Sequence, residues 1–556
     1  MTKILVIGID GASVHLIDAW KDELVNLRKL MKTGVYGVLK STIPPITCPA
    51  WNCFMTGKNP GKIGIFDFQQ VQFDVRADAK IVDSTSQDAT SLWEILSDYK
   101  KKIGVVNVPM TYPPTEVNGF MVTGFSTPLL SKDYTYPASL RLELEEKFGG
   151  YEVDHDIIFP EYMLSGNEGF LKEVYRLEEK KIEVTKYLME HYDWDCFMAV
   201  FTILDRIQHN FWHYMDIDHP KYNKKTAKLY KNAIKNGYLK VDAIIGELLE
   251  LTDEDTIVIT MSDHGFGAHY GAFFSNLWLK NQGLLTESMK PTHRIKNYIS
   301  QYISPKNKLI KLLSRTHILE VLAKERLNQE REWLKNILSM HKADDPFLKS
   351  RAYLGIDWKK TRAYCWGYGR IFVNLKGRES EGIVSPGLEY ERVRNTIISK
   401  LKQIRHPITH QKMPIMIFKK EELYWGNHVD KAPDIIFIMD NFKYTQRIEL
   451  GRNELWKIPV LRTGEHRIEG FWTISGKNTR KNEILNAEII DIAPTILYLL
   501  DIPIPEDMDG KVLREALTTK KELKYSKPLT RVVKSFDYSK EEEEEIKQRL
   551  TNLGYF

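Results

Sequence analysis

One stretch of the chain offers three chemistries at once: "PPITCPAWNCFMTGKNPGKIGIFDF", Pro44 to Phe68. It holds cysteines that could act as nucleophiles, a glycine- and lysine-rich loop that could cradle phosphate, and a hydroxyl placed to open a helix. A thiol phosphatase loop needs an arginine six positions after its cysteine, but Phe54 follows Cys48 at that spacing and Asn59 follows Cys53. A P-loop needs four residues between its first glycine and its Gly-Lys pair, and Gly57 to Gly61-Lys62 leaves three. The hydroxyl reading survives. Pro49, two positions after Thr47, suits a first helical turn, where its missing N–H costs nothing. Free backbone N–H groups and the helix dipole would then favour an anion beside Thr47. A threonine at such a start is ordinarily only an N-cap, so a catalytic role needs support from elsewhere in the chain.

A threonine hydroxyl becomes a nucleophile when its proton is removed or its alkoxide is stabilised, which a metal ion can do. Candidate ligands are present. "DRIQHNFWHY" puts Asp205 and His209 at i and i+4, on one helical face, with His213 continuing that face. "IGIDG" supplies Asp10, "SDHGFG" supplies Asp263 and His264, and "GEHRIEG" supplies His466. Three carboxylates and three imidazoles, together with an alkoxide, suit two borderline divalent ions.

The elements that must position these groups are short apolar, β-branched runs that close on a polar residue. They are "KILVIGID", "KKIGVVNVP", "DCFMAVFTILD", "DTIVITMSDHG" and "PDIIFIMD". Continuous apolar strands separated by helical stretches predict a mostly parallel sheet flanked by helices, an α/β fold. Ligands gather at the carboxyl ends of such strands, and Asp10, Asp205 and Asp263 stand at or near those ends. The expected organisation is a catalytic core over 1–280, an inserted, mainly helical cap over 281–430, a second core part over 431–515 and a C-terminal helical tail over 516–556. The cap opens with a lysine- and arginine-rich helical stretch, 293–340. A basic amphipathic helix can lie on a membrane surface, so peripheral membrane contact through this stretch is a subsidiary expectation. The tail reads as a solvated helix whose five glutamates need no functional role.

Composition narrows the class. With 556 residues, 43% hydrophobic and 28% charged, the chain is that of a globular protein with a large core. A net charge of +5 does not argue for nucleic-acid binding, and no apolar run reaches the ~20 residues of a membrane span. Four scattered cysteines make neither a disulfide framework nor a zinc knuckle. "MTKILVIGID" reads at once as a strand, so no leader is expected and a cytoplasmic location is the default.

In this order the motifs resemble the alkaline phosphatase superfamily, in its branch of type I phosphodiesterases and nucleotide pyrophosphatases and the related predicted phosphohydrolase/phosphomutase proteins. The resemblance runs from "ILVIGIDG" through "TCPAWNCFMTGKNPGKIGIFDF", "NVPMTYPPTEVNGFMVTGF", "DRIQHNFWHY" and "SDHGFG" to "GEHRIEGFWTISG" and "DIAPTILYLL". It implies Thr47 as nucleophile, forming a covalent phosphothreonine. It also implies one ion on Asp10, Asp263, His264 and Thr47, and a second on Asp205, His209 and His466. Zinc is usual in the diesterase branch and manganese in the phosphoglycerate mutase branch; the imidazole-rich ligand set favours zinc. The implied substrate is a small-molecule phosphate mono- or diester.

One departure stands out. Nucleotide pyrophosphatases carry an asparagine for a phosphate oxygen where this chain has Phe68, so the resemblance does not extend to a nucleotide substrate. Further candidates for substrate contact are the Cys48 backbone N–H, Lys58, Lys62 and His213, with Arg206 and Arg467 as other cations near the motifs. Two rival functions use the same residues: a phosphomutase, and a non-catalytic phosphate-binding protein.

Overall fold

The computed structural model describes residues 2–74, 79–153, 159–288, 355–460, 462–529 and 535–553. Four of the five apolar runs become adjacent parallel strands of a ten-stranded sheet, Thr256–Met261, Lys3–Ile9, Cys196–Phe201 and Ile103–Val108, and Gly119–Thr123 extends the parallel set. Ile4 stands level with both Cys196 and Ile257, so the strands end together. The strand Glu469–Ser475, from "EGFWTISG", enters antiparallel between Gly34–Lys40 and Thr256–Met261.

The unbroken apolar character of these strands follows from burial on both faces. Ile4 and Val6 join one core with Trp51, Phe54, Ile492 and Ile496. Leu5, Ile7 and Ile9 join the other, with Leu204, Ile207 and Ile244. Each such side chain contributes roughly 1.5–3 kcal/mol relative to exposure. Gly8 sits where no side chain fits, since a Cβ there would lie 2.7 Å from the Trp51 ring and 2.8 Å from Val200. The missing Cβ lets the helix Thr47–Thr56 rest directly on the first strand.

Two expectations change. The run "PDIIFIMD" is a strand, Ile435–Met439, but it lies in a second, seven-stranded sheet with Ala363–Cys365, Arg370–Val373, Ile415–Lys419, Tyr444–Arg447, Gly271–Phe274 and Trp456–Lys457. An apolar run shows that a strand is buried, not which sheet buries it. The region expected to be a mainly helical cap is, among the described residues, built on this sheet. Its strands reach outside 281–430 on both sides, and the helices Ser275–Asn281 and Leu388–Leu401 accompany it. The basic helical stretch 293–340 lies outside the described residues.

The tail helix forms as Lys540–Asn552, opened by a capping box between Ser539 and Glu542. It is docked rather than solvated all round. Ile546 and Leu550 are fully buried in the first core, and Arg549 donates to the Thr127 carbonyl at 2.7 Å. Among the described residues no helix is long and apolar enough to cross a membrane.

Candidate active site

Asp10 directly follows the strand Lys3–Ile9. Asp205 sits in the first turn of the helix Ile203–Met215, just after the strand Cys196–Phe201, and His209 lies one turn further on. Asp263 and His264 follow the strand Thr256–Met261. Because these strands are parallel neighbours in register, their carboxyl ends form one edge. His466 arrives from far along the chain through a two-stranded ribbon, in which Gly464–Arg467 pairs antiparallel with Gly265–Ala268 and His466 stands opposite Phe266. Thr47 is the first residue of its helix; the N-cap is Ile46, in an extended conformation. The structure therefore gathers all seven residues at one buried point.

Three carbonyls decide how the histidines face. Nδ1 of His209 donates to Gly464 O at 2.8 Å, Nδ1 of His264 to Gly265 O at 3.1 Å, and Nδ1 of His466 to Pro45 O at 2.9 Å. A carbonyl can only accept, so a proton sits on each Nδ1 and each ring turns its Nε2 inward. Nε2 of His209 faces Nε2 of His466 at 3.0 Å, with Asp205 Oδ1 at 3.1 and 3.2 Å from them. Nε2 of His264 lies 3.3 Å from Thr47 Oγ1, 3.3 Å from Asp263 Oδ2 and 3.5 Å from Asp10 Oδ1.

The charges are out of balance. Burial, then the neighbouring Asp205 charge, pushes the Asp10 carboxyl up to about 7. Burial, then Asp10 and Asp205, pushes Asp263 well above the usual carboxylate range. Burial raises Asp205 as well, yet that carboxyl is held well below its ordinary value, with the Arg206 guanidinium 3.3 Å away as its cationic neighbour. Burial lowers His209 to about 4 and His264 well below its usual value, keeping both rings neutral. Asp10 Oδ1 and Asp263 Oδ2 are buried with no hydrogen-bond partner.

Lone pairs converging from neutral imidazoles and from orphaned carboxylate oxygens are what a divalent cation satisfies. The residues fit that role as two overlapping groups, Asp205–His209–His466 and Asp10–Asp205–His264, each with ligand atoms within 4.8 Å of one another. Asp205 belongs to both, which the sequence did not indicate.

Other candidates are not brought together here. Lys58 pairs with Asp507, and Lys62 with Asp509 at 2.7 Å and the Asp507 carbonyl at 2.9 Å. Both lysines lie past the far end of the Thr47 helix, about 15 Å along its axis at 1.5 Å per residue. His213 turns to Thr463 Oγ1 at 3.0 Å, and burial lowers it to about 4. Arg467 donates to the carbonyls of Glu465, His466 and Ala268. Arg206, in contrast, stays at the site, 3.3 Å from Asp205 Oδ2 and over the Phe125 ring. Cys48 donates its thiol to the Asp67 carbonyl at 3.3 Å, and burial pushes that thiol well up, away from the reactive thiolate. Its backbone N–H lies in the first helical turn, where intrahelical acceptors are absent. Phe68 is fully buried, edge-on to Phe125.

Several residues escaped the sequence. Trp51 Nε1 donates to Asp10 Oδ2 at 3.5 Å. Ser262 Oγ accepts from Ala12 N at 2.8 Å and donates to the His264 carbonyl at 2.5 Å, holding the two loops together. Gln208 Nε2 donates to the Gly11 carbonyl at 2.8 Å. Their neighbouring motif residues were the only signal, because a structural amide or hydroxyl has no spacing of its own.

Compared with known proteins, residues 4–454 match the family model described as type I phosphodiesterase / nucleotide pyrophosphatase. No curated protein matches. Among solved structures, murine ectonucleotide pyrophosphatase / phosphodiesterase 5 is 12% identical, over 93% of this chain and 100% of that one, with a TM-score of 0.49. Its human counterpart is 13% identical over 93% and 100%, at 0.47. A multiply substituted variant of alkaline phosphatase PafA is 13% identical over 92% and 98%, at 0.47.

Proposed function

Since the chain belongs to the type I phosphodiesterase / nucleotide pyrophosphatase family and is a phosphohydrolase of that kind, we propose that it cleaves small phosphate esters through Thr47. The observation that carries this reading is the set of three Nδ1–carbonyl bonds, which turn three Nε2 atoms inward among the carboxylates of Asp10, Asp205 and Asp263, with that of His264 3.3 Å from the Thr47 hydroxyl.

In this reading Thr47 Oγ1 attacks phosphorus, the bond to the leaving alcohol breaks, and a phosphothreonine forms. Water then attacks the same phosphorus, and Thr47 regains its proton as phosphate leaves. Two divalent ions, one held by Asp10, Asp263 and His264 with Thr47 and one by Asp205, His209 and His466, would supply positive charge for the attacking and leaving oxygens. Asp205 is suited to link the two sets. The imidazole share favours zinc over manganese. The Cys48 N–H, in the first turn of the helix, is aligned with the dipole that steadies a non-bridging oxygen. Trp51 orients the Asp10 carboxylate. Phe68 offers no polar atom, so the proposed substrate is a phosphate mono- or diester without a nucleotide requirement.

The test compares turnover of aryl phosphate monoesters and diesters with zinc or manganese added, for the parent chain and Thr47→Ala. Thr47→Ala should lower kcat at least a thousandfold, while the parent yields a phosphoryl adduct on Thr47 by mass spectrometry. Turnover in Thr47→Ala within tenfold of the parent, or an adduct on a different residue, would sink the proposal. Transfer of the phosphoryl group to a second hydroxyl of the substrate, with no free phosphate, would instead identify a mutase.

A further inference from the structure

A cavity of about 500 Å³ opens at the other end of the helix that carries Asp205 and His209. Its walls include Trp20, Tyr214, Met215 and Tyr222, and its rim carries Lys224, Lys228, Lys231 and Lys235. Ten residues of helix separate Met215 from Asp205, about 15 Å at 1.5 Å each. The cavity is therefore distinct from the candidate active site.

Three features point to a ligand. The first is charge: among the described residues four lysines line the cavity and no carboxylate does. Lys235 is paired with Glu23 at 2.7 Å, but Lys224, Lys228 and Lys231 have no ion pair among the described residues. Lys224 and Lys228 share one face of the helix Lys224–Tyr230, while Lys231 follows that helix and Lys235 opens the next, Ala233–Leu249, and all four line the cavity. Unpaired like charges lining one cavity repel one another, and an anion relieves the repulsion.

The second feature is the floor, where aromatic and thioether side chains offer an apolar surface. Ile217, 72% exposed, extends that surface outward. The third is preorganisation. Trp20 is held edge-on to Tyr238 at 5.2 Å, and Tyr214 is held by Tyr230 at 5.1 Å and by a hydrogen bond from Asn167 at 2.6 Å. A wall of fixed rings, with a volume inside the 300–1,000 Å³ range of ligand pockets, does not need to be built by the ligand.

We infer that this cavity is a second anion site, taking a phosphate ester joined to an aromatic or apolar body. Two sources share that chemistry: a soluble organic phosphate and the headgroup region of an anionic phospholipid. The site stands independently of the chemistry at Thr47.

The experiment uses the full chain with Thr47→Ala, so that esters are not consumed, and titrates phenyl phosphate, inorganic phosphate and phenol by calorimetry. Phenyl phosphate should bind in two classes. Adding Lys224→Ala, Lys228→Ala and Lys231→Ala should weaken one class at least tenfold and leave the other. These lysines are exposed, so the melting temperature should hold and serve as the folding control. Trp20→Phe should remove a ligand-dependent change in tryptophan fluorescence. Flotation with phosphatidylcholine vesicles doped with phosphatidic acid separates the sources. Lysine-dependent flotation assigns a lipid, and phenyl phosphate binding without flotation assigns a soluble ester. An isotherm unchanged by the lysine substitutions overturns the site. Equal binding of inorganic phosphate overturns the apolar half of the ligand, and equal binding of phenol overturns the anionic half.

Discussion

The helix Thr47–Thr56 has charged groups gathered at both of its ends, and the two gatherings differ in kind. Beyond its C-terminus, Lys58 and Lys62 meet Asp507 and Asp509, cation against anion, and the chain closes on itself. At its N-terminus, Asp10, Asp205 and Asp263 crowd together with three imidazoles, and two carboxylate oxygens lack partners. The balanced cluster pairs each cation with an anion within the fold, although Asp507 Oδ1 is itself buried without a hydrogen-bond partner. An unbalanced one stores an electrostatic cost that the fold alone does not offset, and a bound cation would remove it. Lysines close in sequence to a nucleophile are thus no guide to substrate contact, whereas the sign and pairing of buried charge are.

The comparison can be broken by experiment. The largest effect is expected from His209→Ala, which removes an inward Nε2. Bound divalent metal, counted by elemental analysis after dialysis, should fall from two ions per chain to one. The affinity lost should exceed the 10–100-fold typical of losing an outer-shell partner. Full occupancy in this variant would dissolve the distinction between the two helix ends.

Asp10→Asn tests the imbalance through pH. The folded carboxyl, raised to about 7 by burial and Asp205, lies above its unfolded value near 3.8, so the fold binds that proton more tightly. Stability from this group is complete below about pH 4 and is lost as pH rises to about 7. Relative to Asp10→Asn, the metal-free parent should lose up to about 4 kcal/mol across that window by urea unfolding. A constant difference between the two proteins would show that Asp10 is not under like-charge strain.

Lys58→Met addresses the balanced end. Its partner Asp507 is about one-third exposed, so solvent screens the pair, and a cost of only ~1 kcal/mol is expected. Metal content should stay at two, and kcat should remain within twofold of the parent. A large fall in kcat with unchanged stability would return Lys58 to the substrate.

Much of the site could be read before any fold was known. Asp205 and His209 share a helical face by arithmetic, and Asp10 and Asp263 follow apolar runs whose ends a parallel sheet must align. The Pro49 signal located a helix start at Thr47. Other readings lacked a local basis. Lys58 and Lys62 looked available because their partners lie 449 and 445 residues away. His213 continues the face of His209, yet one more turn carries it to Thr463. "PDIIFIMD" has the texture of a core strand, but pairing partners, not texture, assign it to the second sheet.

The division has a physical cause. The sequence by itself determined the inventory of candidate ligands and their local geometry, because helical and strand periodicities act over a few residues. It also determined that the strands are buried on both faces. Only the tertiary structure decided which charges are neutralised and which nitrogen of each histidine points inward. Those outcomes rest on single contacts such as His209 to Gly464 and His466 to Pro45, across 255 and 421 residues of chain. No short-range pattern encodes such a contact. It exists because the sheet aligns its strand ends and the ribbon pairing Gly464–Arg467 with Gly265–Ala268 brings the last candidate ligand back to that edge.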